Sequence, residues 1–261
     1  MSIDKTHWFV SKRRRRAARA RERQLDYQEK KAAELDGNEK NVILNMMKQT
    51  AKVKQMLEQI RPLDKTNSVL EVGSGAHGLI FTFGNNFCVG IDPLAVDYKR
   101  LFPVWQKNVQ TISAIGEQLP FADASFDIAL SDNVVDHAEN PAMIIRELVR
   151  VLKPDGLLYF TVNVHHRLYS IASDLHGWWN AVGINFELSP FADHTVHFTL
   201  KEIRRIFSDL PLYIFKEKIY FSDFINQSQL VKSRNPVDLL KKMFFKNVLF
   251  EIVAVKKKAL S

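Results

Sequence analysis

Val69-Leu70-Glu71-Val72-Gly73-Ser74-Gly75-Ala76-His77-Gly78 reads as an apolar strand that runs into a glycine-rich turn and then opens a short helix. Glycines at 73, 75 and 78 let the backbone turn sharply and come close to a ligand, because a Cβ would block that approach. By itself this spacing is best known from dinucleotide binding, and a corner whose glycines serve only packing is the plain alternative. Glu71, two residues before the first glycine, shifts the reading. A carboxylate aimed into the turn repels a pyrophosphate, whereas it attracts an ammonium group and a sulfonium centre. The stretch therefore points to S-adenosylmethionine rather than NAD.

Working outward, strands and helices alternate. Strand one is Ser68 to Val72, and the helix after the turn is short because Gly84-Asn85-Asn86 ends it. Strand two is Phe87 to Ile91, closed by Asp92-Pro93, and a helix with Val96, Tyr98 and Leu101 leads to strand three, about Gln110 to Ile115. Strand four is Phe126 to Leu130. Asn140-Pro141 caps a helix that buries Ile144, Ile145, Leu148 and Leu152, and Pro154-Asp155-Gly156 turns into strand five, Leu157 to Val162. Such alternation predicts a parallel sheet with helices on both faces. Residues 164–198 break the rhythm. They are rich in aromatics and histidine (His165, His166, His176, Trp178, Trp179, His194, His197) and are expected to form a lid insertion. Thr199 with Glu202 reads as a capping box, and Tyr213 to Phe221 and Val248 to Val255 as two last strands, with a basic helix around Leu239 to Phe245 between them.

Toward the N-terminus, an amphipathic helix places Ile43, Met46/Met47, Thr50, Val53, Leu57 and Ile60 on one face before Pro62 stops it. Residues 1–36 form a basic arm, helical in its second half, and residues 37–261 the main domain. Residues 12–23 hold eight basic side chains and one acid, a net +7 of the whole chain's formal +8, so the main domain is close to neutral. Trp8, Phe9 and Val10 precede that run, and an anionic membrane surface or a nucleic-acid backbone would suit it. A solvated, frayed helix is the bland alternative. The single cysteine, Cys88, gives no disulfide framework, and no apolar run reaches the roughly 18 residues that span a bilayer. The expectation is a cytoplasmic protein, peripheral at a membrane surface if the basic run docks there.

In an open parallel sheet, ligands bind beyond the carboxyl ends of the strands. Those ends deliver the glycine turn, Asp92, the Gly116-Glu117 turn, and Ser131, Asp132 and Asn133. Asp92 follows Gly73 by 19 residues, the spacing at which a carboxylate accepts from ribose hydroxyls, and Pro93 offers an apolar face to adenine. Taken in order, Glu71-Val72-Gly73-Ser74-Gly75, Gly90-Ile91-Asp92, Gly116-Glu117-Gln118-Leu119-Pro120-Phe121, Ser125-Phe126-Asp127 and Arg146-Glu147-Leu148-Val149-Arg150-Val151-Leu152-Lys153-Pro154-Asp155-Gly156 resemble the type 11 domain of class I S-adenosylmethionine-dependent methyltransferases, from Leu70 to about Asn163.

The resemblance implies a Rossmann-like α/β fold: a seven-stranded, mostly parallel sheet of order 3-2-1-4-5-7-6 with strand seven antiparallel. It implies that Glu71, Gly73, Ser74 and Gly75 hold the methionine end of the cofactor, Asp92 and Pro93 the ribose and adenine, Gly116 and Glu117 the adenine, with Ser131 and Asp132 at the end of strand four. Where the family often has Asp, this chain has Ile115, which would pack on the ring. Methyl transfer is an in-line displacement, so alignment does most of the work, and a hydroxyl acceptor benefits from a base. His137, just past strand four, is the first candidate, with Asp136 to orient it; His165 and His166 follow. His77, inside the turn, reads as a loop residue. No cluster has metal-ligand spacing, although histidines and acids under a lid leave a metal-assisted variant open. The expected acceptor is a small molecule or a glycan, methylated at oxygen. An RNA or protein acceptor docked by the arm, or a binding protein without turnover, are the competing readings. Oligomeric state is not legible here.

Overall fold

The computed structural model describes residues 5–35, 37–85, 87–165, 196, 198–220 and 248–258, with side chains from Ala17 onward. Most of the lid insertion expected at 164–198, with His166, His176, His194 and His197, and the basic helix around Leu239 to Phe245 lie outside the described residues.

Among the described residues, eight strands form one sheet: β1 Ser68–Val72, β2 Phe87–Ile91, β3 Gln110–Ile112, β4 Phe126–Asp132, β5 Leu152–His165, β6 Phe198–Thr199, β7 Leu212–Ile219 and β8 Val248–Lys256. The order is β3-β2-β1-β4-β5-β8-β7, with the two-residue β6 pairing β5 off that path. β1 to β5 pair in parallel, whereas β8 runs antiparallel to both β5 and β7. This is the expected order, with one short strand added. Because the chain leaves β1 toward β2 on one side and returns to β4 on the other, a crevice opens at the carboxyl ends of β1 and β4.

Helices are α1 Lys5–Ala33, α2 Glu39–Glu58, α3 Ile80–Phe83, α4 Ala95–Leu101, α5 Pro103–Gln106, α6 Pro141–Val151 and α7 Leu200–Ser208. They cover both faces. On one face Leu70, Val72, Ile91 and Phe160 pack with Ile145 and Leu148 of α6 and Ile203 and Phe207 of α7. On the other, Val69, Ile128, Leu130 and Tyr159 pack with Val53 and Leu57 of α2, Phe83 of α3, and Tyr98, Phe102 and Trp105. Met46 is buried as the α2 periodicity requires, but Met47 is exposed.

Several boundaries differ from the sequence reading: β4 runs on to Asp132, and β5 begins at Leu152, a residue that reading placed in the preceding helix. β3 ends at Ile112 because its partner ends at Ile91, and the next bond in that line is Asp92 N–H donating to Ile112 O at 3.2 Å. β5 runs on to His165 because β8 accompanies it as far as Val164. Pro103 starts a helix, α5, that was not foreseen. Finally, α1 is helical from Lys5, and its second half is not a solvated arm. Ala17 and Gln28 are buried, and Arg100 Nη2 of α4 bonds Glu29 Oε1 of α1 at 3.3 Å.

Candidate functional site

The glycine turn is built tightly enough to need its residue types. Gly73 has φ +78°, and a Cβ there would lie 2.2 Å from Val134 Cγ1, so this turn passes against the segment that follows β4. At Gly78 a Cβ would meet Ser74 O at 2.4 Å and Glu71 Oε2 at 2.5 Å. Glu71 is buried beneath the turn, where its two carboxylate oxygens accept from Leu79 N–H at 3.2 Å and Ile80 N–H at 2.8 Å. The turn's own donors are also used. Gly73 and Ser74 N–H donate to Ile91 O at 2.7 and 3.1 Å, and Gly75 N–H donates to Asp92 Oδ2 at 3.0 Å. Leu94 N–H donates to Asp92 Oδ1 at 2.8 Å, so Asp92 is fixed from both sides.

A cavity of about 770 Å³ opens above this turn, within the size range of small-molecule sites. Gly73, Gly75 and Asp92 line one side, and Ile91, Pro93, Leu94, Ile115, Val134 and Ile144 form apolar walls. Gly116, Glu117, His137, Glu139, Asn140 and Met143 lie along the far side. The remaining wall is α1, through Ala17, Ala20, Arg21, Arg23, Gln24 and Tyr27. Of the residues picked out from sequence, Gly73, Gly75, Asp92, Pro93, Gly116, Glu117 and His137 are thus brought together.

Others lie elsewhere. Glu71 and Ser74 are under the turn rather than on the cavity wall, Glu71 because α3 begins directly over its carboxylate. Ser131 is fully buried in β4, and Asp132 accepts from Thr161 Oγ1 of β5 at 2.5 Å. His165 is buried at the end of β5, where it pairs with Thr199 of β6 and does not line the cavity; His166 lies outside the described residues.

Burial raises the carboxyl of Glu71 from its ordinary 4.5 to about 8, its two N–H bonds opposing the shift in part. Burial likewise raises Asp92 and Asp132. His77 is pushed down to about 4, chiefly by burial and secondarily by Lys31 of α1; its ring sits 4.9 Å from Phe102 and 5.3 Å from Trp105. A neutral ring wedged between aromatics is a packing residue. Glu117 Oε1 accepts from Glu139 N–H at 3.0 Å and Asn140 N–H at 3.1 Å, which ties the turn after β3 to the cap of α6. His137 closes the one-turn 3-10 helix Val135–His137 and is 42% exposed, with Nε2 3.8 Å from Oδ1 of the buried Asp136.

The α1 wall, Tyr98 and Met143 were not singled out as site residues from sequence. For α1 a signal existed: Ala17, Ala20, Arg21, Gln24 and Tyr27 share one helical face. It carries few apolar residues, so periodicity of hydrophobic residues does not reveal it.

The cavity residues can be compared with known proteins. Residues 70–160 match the family model described as "Methyltransferase domain". A protein of Mycobacterium sp. (strain JLS), described as an uncharacterized methyltransferase, is 35% identical over 101 residues, which is 37% of this chain and 39% of that protein. The chain thus spans about two fifths of the length of the curated relatives it matches. Among solved structures, a phosphoethanolamine N-methyltransferase 2 of Haemonchus contortus, in complex with phosphomonomethylethanolamine and S-adenosylhomocysteine, superposes with a TM-score of 0.53 at 15% identity, covering 81% of this chain and 53% of that one. The (4+2)-cyclase SpnF superposes with a TM-score of 0.51 at 16% identity, covering 80% and 81%. At these identities the structures speak for the fold alone. Residues 70–160 thus match the methyltransferase domain family, and the sheet they organise has the fold of the class I methyltransferases.

Proposed function

We propose that the protein is an S-adenosylmethionine-dependent methyltransferase acting at oxygen on a small-molecule or sugar-containing acceptor. The observation that carries the cofactor reading is the state of the glycine turn. Its N–H groups at 73, 74 and 75 are consumed by Ile91 and Asp92, and Glu71 takes those of Leu79 and Ile80. A pyrophosphate would find none of those donors facing it. A nucleoside with a cationic sulfonium suits the same surroundings, where Asp92, Glu117 and Glu139 line the cavity beside apolar walls.

When bound, that cofactor supplies a methyl group on a sulfonium, open to in-line displacement by a nucleophile. Asp92 accepts from the ribose hydroxyls, while Pro93 and Ile115 flank the adenine and the Gly116-Glu117 turn borders it. Glu71 acts one step back, by holding α3 against the turn. His137 takes the acceptor's hydroxyl proton on its imidazole, and Asp136 Oδ1, 3.8 Å from Nε2, orients the ring. The H. contortus enzyme, which shares the fold, is in complex with S-adenosylhomocysteine, and this supports the same cofactor class here.

Calorimetric titration with S-adenosylmethionine, S-adenosylhomocysteine and NAD, for the native chain and Asp92→Ala, tests the reading. Micromolar binding of the two sulfur compounds, lost in the variant, is expected. Preference for NAD, or no binding of either sulfur compound, would overturn it. A second reading is favoured by the eight basic side chains in residues 12–23: an RNA or protein acceptor held by that run, or an anionic membrane surface against which a cytoplasmic enzyme docks. Steeply salt-dependent RNA binding that disappears when residues 1–36 are removed would favour RNA as the acceptor.

A further inference from the structure

An S-adenosyl cofactor carries a carboxylate as well as a sulfonium, and the sheet side of this cavity has little to offer it. Asp92, Glu117 and Glu139 line the cavity, and the N–H groups of Gly73, Ser74 and Gly75 already have protein acceptors. The cations lie on the opposite wall. Among the described cavity-lining residues, Arg21 and Arg23 of α1 are the only arginine or lysine side chains. Arg23 is exposed and already engaged in an interaction of its own. Arg21 is half-buried, lines the cavity, and has no ion-pair partner among the described residues.

Its helix is held in place. Ala17 and Ala20 are small enough to bring the α1 backbone close, Gln24 hydrogen-bonds Tyr98 through its side chain, and Glu29 pairs with Arg100 at 3.3 Å. Ala17 stands four residues before Arg21 and Gln24 three after it, so their contacts turn its side chain toward the cavity.

Resting on the cofactor reading above, we infer that Arg21 binds the carboxylate of the cofactor's amino-acid end, and that α1 is thereby a wall of the cofactor site rather than only a docking arm. An arginine on a carboxylate gives paired, charge-assisted hydrogen bonds that a lysine or a neutral amide does not reproduce.

The test compares two ligands that differ only at that end. S-adenosylhomocysteine carries the amino acid; 5′-methylthioadenosine keeps the adenosine and thioether without it. Both are titrated calorimetrically into the full chain, Arg21→Gln and Arg19→Gln, the last removing an equal charge from an exposed position of the same helix. Arg21→Gln should weaken S-adenosylhomocysteine by about tenfold or more. Methylthioadenosine should change by less than about twofold, and its binding also shows that the variant is folded. Arg19→Gln should alter neither. Undiminished affinity of Arg21→Gln for S-adenosylhomocysteine overturns the inference, as does an equal loss for both ligands or an equal loss in Arg19→Gln. If the native chain binds neither ligand, the cofactor reading fails first and the inference with it.

Discussion

Glu71 shows how one side chain links the turn's geometry to the protein's response to pH. Fully buried, it accepts from two backbone N–H groups, yet burial dominates and its carboxyl rises from 4.5 to about 8. The folded state therefore holds this proton more tightly than the unfolded chain does. Its stabilising contribution is complete below about pH 4.5 and is lost as pH climbs through about 8. Glu71→Gln removes the titration. The melting temperature of the variant, measured relative to the native chain, should rise steadily from pH 5 to pH 8, and a constant offset would contradict this account. Gly73 makes a steric prediction. Alanine at φ +78° with its Cβ 2.2 Å from Val134 Cγ1 should cost roughly 2–4 kcal/mol in urea unfolding. Val134 also lines the cavity, so any relief that displaces it should weaken ligand binding as well. Asp92, Gly116 and Glu117 were legible in the sequence because their positions follow from strand ends. The direction in which Glu71 points was not. It depends on α3 starting within hydrogen-bond reach of the carboxylate, a packing outcome that residue spacing does not encode.

At the scale of elements, α7 is the case in which local chemistry alone fixed a boundary. Glu202 N–H donates to Thr199 Oγ1 at 3.3 Å, and Thr199 N–H donates to Glu202 Oε2 at 2.8 Å, the reciprocal pair that the Thr-x-x-Glu pattern predicts. Thr199 also sits in β6 against His165, so its cap fastens the end of β5 as well as the start of the helix. Thr199→Ala should cost about 1 kcal/mol in equilibrium unfolding. Thr199→Ser, which keeps the hydroxyl, should recover most of it; equal losses in the two variants would mean that the methyl group, not the cap, matters. The capped helices and the apolar strands β1, β2 and β4 were readable because turn, cap and period signals agree there. β3 and β5 were misjudged in length for one shared reason. Where a strand stops is decided by its neighbour, and the paired residues of β3 and β5 are 21 or more positions away in sequence. The two-residue β6 exists only through such a partner, and no run of two residues announces itself.

At the scale of the whole molecule, the question is what α1 does for a site that the sheet otherwise completes. Its buried Ala17 and Gln28, its ion pair to Arg100 and its cavity-facing Gln24 and Tyr27 hold it against α4 and the cavity, although its chain position and composition set it apart. Yet little apolar surface holds it there. Its described face is mostly alanine and polar side chains, and the Glu29–Arg100 ion pair joins residues 47% and 65% exposed, a kind worth little. An element held so lightly opens at low free-energy cost, and a ligand that touches both it and the sheet selects the closed state. Amide hydrogen exchange of the full chain should therefore slow across residues 17–28 when S-adenosylhomocysteine is added, together with the glycine turn at 73–78. Residues 144–151 of α6, packed in the core, should not change beyond global stabilisation. Protection confined to the turn would mean that the cofactor is held by the sheet alone. In that case α1 is a bystander to cofactor binding, and its basic run is left to serve an outside partner.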